Sequence, residues 1–594
     1  MAFKNSCFHF FVTFIFIAVV FCASTLGNRS RSGTAAREYQ IAPSSGAPMT
    51  STAFNMPAAQ PRTEQFSAWL PGGEWVLLHA SVGVSAMHMQ LMPDNKVVMF
   101  DRTDFGASNL SLPDGKCRDN DEVIARDCTA HSLLYDISSN TYRALMVQTN
   151  VWCSSGGLDP NGTLIQTGGY HGGDRRIRTF TPCNDDLCDW VELEQNLTIQ
   201  RWYSSDHILP DGRFIIVGGR RAFSYEFFPK HPNTTNLAYQ LRFLVETNDL
   251  KEENNLYPFL YLLPDGNLYI FANQRSIVLD YQNDRVLREF PPIPGEKRSY
   301  PATGSSVMLP LRLTGDSFPE VEILVCGGNK GGAYLKAEKT HVYEPASRTC
   351  GRMKITDPFP VWVMEDMPMG RVMGDMLILP VGDVIILNGA AKGTGGWENG
   401  EDPVLNPIMY KPRERDPRKR FSVLTPTVIP RMYHSSAILL PDGRILVGGS
   451  NPHTKYNFTT ERYPTELSLQ SYAPPYLSPI YAYLRPSILS IEAGGGGNAV
   501  IYGERFAVTF TIAMLNPGGL AVTMIPPSFT THSFAMNQRM LVLHAVSLQR
   551  LSVFAYKVTV DAPPTRNVAP PGYYMVFLVH QSVPGHSVWI RMHS

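Results

Sequence analysis

Neither sign of charge is in excess: Lys+Arg and Asp+Glu number 52 each over 594 residues. That balance excludes the long-range attraction that drives nucleic-acid binding. Charged residues are themselves scarce, at 18% against the roughly 25% of an average soluble domain. Beyond the amino terminus no apolar run reaches the ~20 residues that a spanning helix needs, so no membrane span is expected. Cysteine is sparse, nine in all, and forms no zinc-type array. Carboxylate pairs and a Ser-His-Asp arrangement are not evident. Gly494-Gly495-Gly496-Gly497 lacks the Lys-Ser/Thr that completes a phosphate loop and reads as a turn.

Turn formers are plentiful instead: 47 Gly and 46 Pro, about 16% of the chain against a usual ~12%. With 44% hydrophobic residues the chain can bury large cores, and disorder is excluded for most of it.

Lys4 precedes an apolar run from Phe8 to Phe21 that gives way to the small residues Cys22-Ala23-Ser24-Thr25. That order predicts a secretory signal peptide over 1–23. Residues 24–65, rich in Ser, Thr and Pro, read as a flexible leader. Asn28, Asn109, Asn161, Asn196, Asn233 and Asn457 each open a glycan-acceptor triplet. The mature protein is therefore expected outside the cell. Past Cys7 and Cys22 seven cysteines remain in an oxidising compartment. Six form close pairs, Cys117 with Cys128, Cys183 with Cys188 and Cys326 with Cys350. Pairing them as staples leaves Cys153 over. A buried free thiol is the ordinary fate of such a residue.

One motif recurs seven times: an apolar run, Pro-Asp-Gly or a variant, then a β-rich run that often ends in Gly-Gly. The motif prolines are Pro93, Pro160, Pro210, Pro264, Pro310, Pro380 and Pro441, spaced 46 to 70 residues apart. Asp-Gly between apolar runs makes a hairpin, because the favoured turns need positive φ. The spacing is close to the ~50-residue kelch period, and such small sheets bury their faces only by stacking on one another. Closing the array radially also covers its edges. The pattern predicts an all-β chain: a seven-bladed kelch-like β-propeller over 66–470, then an immunoglobulin-like β-sandwich over 471–594. In the second part short strands such as Phe506–Thr511 and Tyr573–Val579 alternate with Pro and Gly turns.

Three segments sit at equivalent offsets before their hairpins: Trp152-Cys153-Ser154-Ser155-Gly156, Arg201-Trp202-Tyr203-Ser204 and Arg431-Met432-Tyr433-His434-Ser435. A propeller brings such segments together at its axis, so Cys153 and Tyr203 are expected to be neighbours. Thr530-Thr531-His532 in the second domain adds a histidine.

In these segments and their order the chain resembles the copper radical oxidases, the galactose oxidase and glyoxal oxidase family, and most closely the plant-type glyoxal oxidase-like aldehyde oxidases. The resemblance implies one copper ion held by Tyr203, Tyr433, His434 and His532. It also implies a thioether joining Cys153 to Tyr203 and a stable radical on the modified tyrosine. Phenolate and imidazole donors suit Cu(II). Copper changes by one electron and aldehyde oxidation needs two, so the modified tyrosine is the second store. Tyr433 is implied as general base and dioxygen as the acceptor that leaves as hydrogen peroxide.

The chain departs from galactose oxidase in two ways. Where galactose oxidase carries a carbohydrate-binding domain before its propeller, only the short Ser/Thr-rich leader is expected in this sequence. The strand after Tyr203's hairpin also carries no tryptophan, reading Gly218-Gly219-Arg220-Arg221-Ala222-Phe223, so Trp202, Trp152 or Phe223 is left to cover the radical. The implied function is a secreted, monomeric aldehyde oxidase of the cell wall or apoplast, acting on small glyoxal-like aldehydes. A primary-alcohol or galactose oxidase with the same centre is one alternative. An inactive propeller that binds wall glycan or protein is another. His171, His207, His453 and His586 lack ligand-like spacing.

Overall fold

The computed structural model describes residues 72–593 except 120–122, 231–236, 316–317 and 460–461. The signal peptide, the leader, Asn28 and Asn233 lie outside the described residues. Strand dominates, and the α-helices are two short ones, Arg242–Glu246 and Ala333–Thr340.

Seven antiparallel sheets follow one another along the chain, six of four strands and the first of six, four of its own and two from a hairpin of the carboxy-terminal part. Their first strands are His88–Leu91, Ser155–Leu158, Ser204–Ile208, Phe259–Leu262, Gly304–Met308, Asp375–Ile378 and Ser435–Leu439. In the third sheet Ser204–Ile208 pairs with Phe214–Gly218 and that strand with Ser224–Phe228. The Pro-Asp-Gly turns join first and second strands as expected, with φ near +85° at Gly212 and +88° at Gly443. The Gly-Gly ends are used for close approach: a Cβ at Gly168 or Gly327 would collide with the carbonyl oxygen of Arg201 or Arg371. The seventh sheet draws its outer strand from the other end of the chain. Glu74–His79 pairs with Leu469–Ala473, tying the start of the array to its finish.

A buried arginine repeats before four first strands and explains why these loops are held. Arg201 donates to the carbonyls of Gly218 (2.7 Å) and Ser224 (3.1 Å), and Arg431 to those of Gly449 (2.8 Å) and Ser468 (3.2 Å). Arg298 binds Gly327 O and Thr349 O, and Arg371 binds Asn388 O and Asn406 O. Each guanidinium, a rigid fork of donors, satisfies carbonyls that its own sheet leaves unpaired.

The carboxy-terminal part packs two sheets. One contains Arg505–Thr511 and Ala555–Asp561. The other contains Leu520–Ile525 and Gly572–His580, and Leu311–Arg312 from the fifth repeat adds to it through parallel pairing with Leu541–Val542. From this part a hairpin, Phe529–Thr531 and Phe534–Met536, reaches into the seven-sheet array. Its first strand pairs with His88–Leu91 and touches Ser155–Leu158 and Ser435–Leu439. Its second strand touches the first strands of the remaining four sheets. One hairpin thus contacts all seven innermost strands, and the side chain at its tip is His532.

Candidate metal centre

The tip is a two-residue turn, His532 at φ 46° and Ser533 at φ 70°, the primed geometry that hairpins favour. Around it the chain enters several first strands through a non-glycine residue in the left-handed region: Cys153 (φ 53°), Tyr203 (φ 68°), Tyr257 (φ 48°) and His434 (φ 62°). Each such residue costs on the order of 1 kcal/mol. The cost recurs where side chains converge.

The structure brings together all five residues that the sequence singled out. Cys153 is buried and is the free cysteine, the other six described cysteines pairing as expected. Its Sγ lies 3.1 Å from Nε2 of His532, and the backbone N–H of Tyr203 donates to its carbonyl at 3.0 Å. Ligating atoms of Cys153, His434 and His532 all lie within 4.8 Å of one another. The ring of His532 stands edge-on to those of Tyr203 (5.9 Å), Tyr433 (5.6 Å) and His434 (4.9 Å). Nδ1 of His532 shares a 2.6 Å hydrogen bond with Thr531 Oγ1, which fixes the ring and leaves Nε2 facing the cluster.

A third tyrosine, absent from the sequence reading, joins the other two. Tyr300 places its hydroxyl 2.7 Å from that of Tyr433 and 3.3 Å from that of Tyr203. Its ring also stacks on Tyr203 with centroids 4.6 Å apart at 27°. A signal was present: Arg298-Ser299-Tyr300 repeats the Arg-x-Tyr of the other two segments. Trp202 packs beside Tyr203 at 4.7 Å and 36°. Trp202 and Tyr300 therefore cover this ring. Trp152 stands one ring back, 4.6 Å from Trp202. Phe223 packs instead with the Tyr225 core cluster, away from the site.

Burial sets the protonation states. It holds the imidazoles of His434 and His532 well below their ordinary pKa, so both are neutral donors. It pushes the phenols of Tyr203 and Tyr433 and the Cys153 thiol well up, with neighbouring site groups adding to the rise at the two tyrosines. A cation bound among these phenols and imidazoles would let the phenols ionise. Both ring nitrogens of His434 are buried without a hydrogen-bond partner. Such orphaned nitrogens are costly unless something binds them. Two imidazoles and two phenols are an N,O donor set of the kind copper takes, and the residues fit the ion.

The tyrosines open onto a cavity of about 340 Å³ whose floor includes Trp152, Trp202, Tyr203, Tyr300, Tyr433 and Trp397. That volume suits a small molecule. Behind the indoles Arg102 lies 3.6 Å over the Trp152 ring and pairs with Asp104. The other histidines read as structural fit that role where bonded: His207 holds Ile208 O, and His453 bridges Glu398 and Tyr463 O.

Residues 87–476 match the family model described as "Glyoxal oxidase N-terminus", and residues 485–592 match "Galactose oxidase-like, Early set domain". "Aldehyde oxidase GLOX1" of Arabidopsis thaliana is 43% identical over 527 residues, 88% of this chain and 84% of the relative. "Aldehyde oxidase GLOX" of Vitis pseudoreticulata is 43% identical over 524 residues, 88% and 97% of the two chains. A solved fungal alcohol oxidase in complex with copper superposes with a TM-score of 0.66 at 20% identity, covering 88% of this chain and 100% of its own, and shares the fold.

Proposed function

Because this chain belongs to the glyoxal oxidase family, matched across residues 87–476, we propose that it is a copper radical oxidase that converts small aldehydes to carboxylic acids and dioxygen to hydrogen peroxide. The observation that carries the reading is the convergence of Tyr203, Tyr433, His434 and His532 beside the free thiol of Cys153. Its substrate class follows the names of the 43% identical relatives.

In this reading Tyr203, Tyr433, His434 and His532 hold one copper, and Cys153 is joined to Tyr203 by a thioether. A bound copper would supply one of the two electron vacancies that the oxidation needs. Tyr203 supplies the other vacancy as a phenoxyl radical, which the sulfur substituent makes easier to form. A hydrated aldehyde loses two hydrogens, as two electrons and two protons, to become the acid. Dioxygen takes up the same two electrons and two protons. Tyr433 accepts the substrate hydroxyl proton, and its 2.7 Å hydrogen bond to Tyr300 orients the phenol for that step. Trp152, Trp202 and Trp397 wall the cavity and restrict water around the reacting carbon. Three disulfides support a secreted location. Among the described residues no helix is long and apolar enough to cross a membrane. A monomer associated with the cell wall completes the proposal.

The Cys153, His434 and His532 cluster raises a second reading, with Cys153 as a thiolate ligand. A cation there would lower the thiol's pKa as it would the phenols', so linked or separate Cys153 and Tyr203 peptides decide between the two readings. The test is a peroxidase-coupled assay of copper-loaded protein with glyoxal, methylglyoxal, galactose and benzyl alcohol. Peroxide from the aldehydes above all is the expected result. Preference for an alcohol would move the chain to the alcohol-oxidase class, and no peroxide from any of them would make it a binding module.

A further inference from the structure

Tyr203 is connected to the protein surface by a row of oxidisable rings that starts in the cavity wall and ends outside it. Trp202 lies 4.7 Å from Tyr203 on one side and 4.5 Å from Tyr170 on the other. Trp152 abuts both of the outer rings, 4.6 Å from Trp202 and 4.8 Å from Tyr170. Beyond Tyr170 the exposed ring of His171 stacks at 4.0 Å and 18°, carried on the turn His171–Gly173. Tyr170 is half-buried and is not among the residues that line the cavity. The indole nitrogen of Trp152 is buried without an acceptor, and that of Trp202 is buried against the Cys153 sulfur. An oxidised indole there keeps its proton and passes on only an electron.

We propose that Tyr170, reached from solvent beside His171, is the outer terminus of an electron relay through Trp202 to Tyr203, by which a one-electron oxidant too large for the cavity sets the oxidation state of the site. The inference rests on the radical-oxidase reading. In one passage Tyr203, which would be a phenolate beside the bound ion of that reading, gives up one electron and becomes a phenoxyl radical with no proton to place. Trp202 and Tyr170 are each oxidised and then reduced again. The oxidant is reduced by one electron, so the balance closes. Because the exit is separate from the cavity, oxidant and substrate do not compete for one opening.

The test is flash photolysis with a ruthenium polypyridyl photo-oxidant coupled to dextran, which cannot enter the cavity. The growth of phenoxyl absorption is followed in the copper-loaded protein. Tyr170→Phe removes the oxidisable ring and is expected to slow that growth at least about tenfold. Tyr170→Trp restores a redox-active ring and is expected to keep it fast. Tyr481→Phe, a change at an exposed tyrosine outside both the row and the cavity lining, is expected to match the wild type. Peptide mass analysis of each protein reports whether the thioether has formed. A Tyr170→Phe protein that carries the thioether and forms the radical at the wild-type rate overturns the relay alone. A wild-type protein without thioether or radical overturns the reading on which the relay rests.

Discussion

The hydroxyls of Tyr300 and Tyr433 lie 2.7 Å apart, so the phenol assigned to accept a substrate proton is held by a tyrosine that is itself no ligand candidate. Tyr300 also stacks on Tyr203, and one side chain fixes both. Tyr300→Phe keeps the ring and deletes the bond. A lost buried hydrogen bond of about 1.5 kcal/mol corresponds to roughly a tenfold fall in kcat. KM is expected to stay within about twofold, because the bond acts on proton transfer rather than on substrate binding. Steady-state kinetics with methylglyoxal checks this, and an unchanged kcat would show that Tyr300 is only packing.

The thioether is tested at Cys153. In digests of the wild type grown with copper and oxygen, the Cys153 and Tyr203 peptides are expected as one linked species, lighter than their sum by a pair of hydrogen atoms. Cys153→Ser should give separate peptides and retain copper, with peroxide production falling below about a thousandth of the wild-type rate. Loss of copper in Cys153→Ser, together with unlinked wild-type peptides, would support the thiolate-ligand reading instead.

His532 sits at a positive-φ turn position, so alanine there mixes backbone strain with ligand loss. Asparagine tolerates the left-handed conformation. His532→Asn is expected to keep the thermal midpoint within a few degrees while weakening copper binding more than about a hundredfold, beyond the usual effect of losing an outer partner of a ligand. Chelator competition measures the affinity. Wild-type affinity in this variant would remove His532 from the site.

How much of this was legible in the sequence depends on whether the determinant was local. The hairpins were, because Pro-Asp-Gly turns at Gly212, Gly266 and Gly443 carry their own backbone requirement. The disulfide pairs lie close along the chain, which left Cys153 by subtraction. The five site residues stood out through the repeat offset and a family resemblance. Tyr300 was missed because its Arg-x-Tyr motif is built on the structural arginine of the repeat, which Arg371 shares with a methionine, Met373, in the tyrosine's place. For the cover on Tyr203 the sequence left Trp202, Trp152 or Phe223 open. Trp202, the preceding residue in the chain, supplies it with Tyr300, a choice fixed by how neighbouring sheets pack. The union of Glu74–His79 with the last sheet depends on residues almost 400 positions apart and left no local trace.

The repeated arginine gives a prediction about stability alone. Arg371 is buried and donates to the carbonyls of Asn388 and Asn406. Arg371→Met preserves much of the side-chain bulk and strands those acceptors, at a cost of about 3 kcal/mol. Denaturant unfolding should show that loss, with normal copper content in the folded protein. An unchanged midpoint would mean that water replaces the guanidinium.

His207 supplies a pH signature that is independent of the metal. Its ring is buried, with Nδ1 donating to Ile208 O at 2.7 Å and Nε2 accepting from Leu262 N at 3.3 Å, as only the neutral imidazole can. Burial, reinforced by the positive charge of Arg539, lowers its pKa from 6.5 to about 3. Between those values the unfolded chain binds a proton that the folded chain does not, so the stability owed to the neutral ring is complete above the unfolded value and is lost as pH falls. The slope is about 1.4 kcal/mol per pH unit. His207→Gln does not titrate. Buried Asp206 and Asp375, pushed up to about 7, titrate in both proteins and largely cancel in the difference. The wild type should therefore lose about 2 kcal/mol relative to the variant between pH 7 and pH 5, measured by denaturant unfolding at each pH. A difference that stays constant over that interval would mean that the His207 ring titrates in the folded protein as it does in the unfolded chain, and a gain on acidification would mean that it is already charged at pH 7.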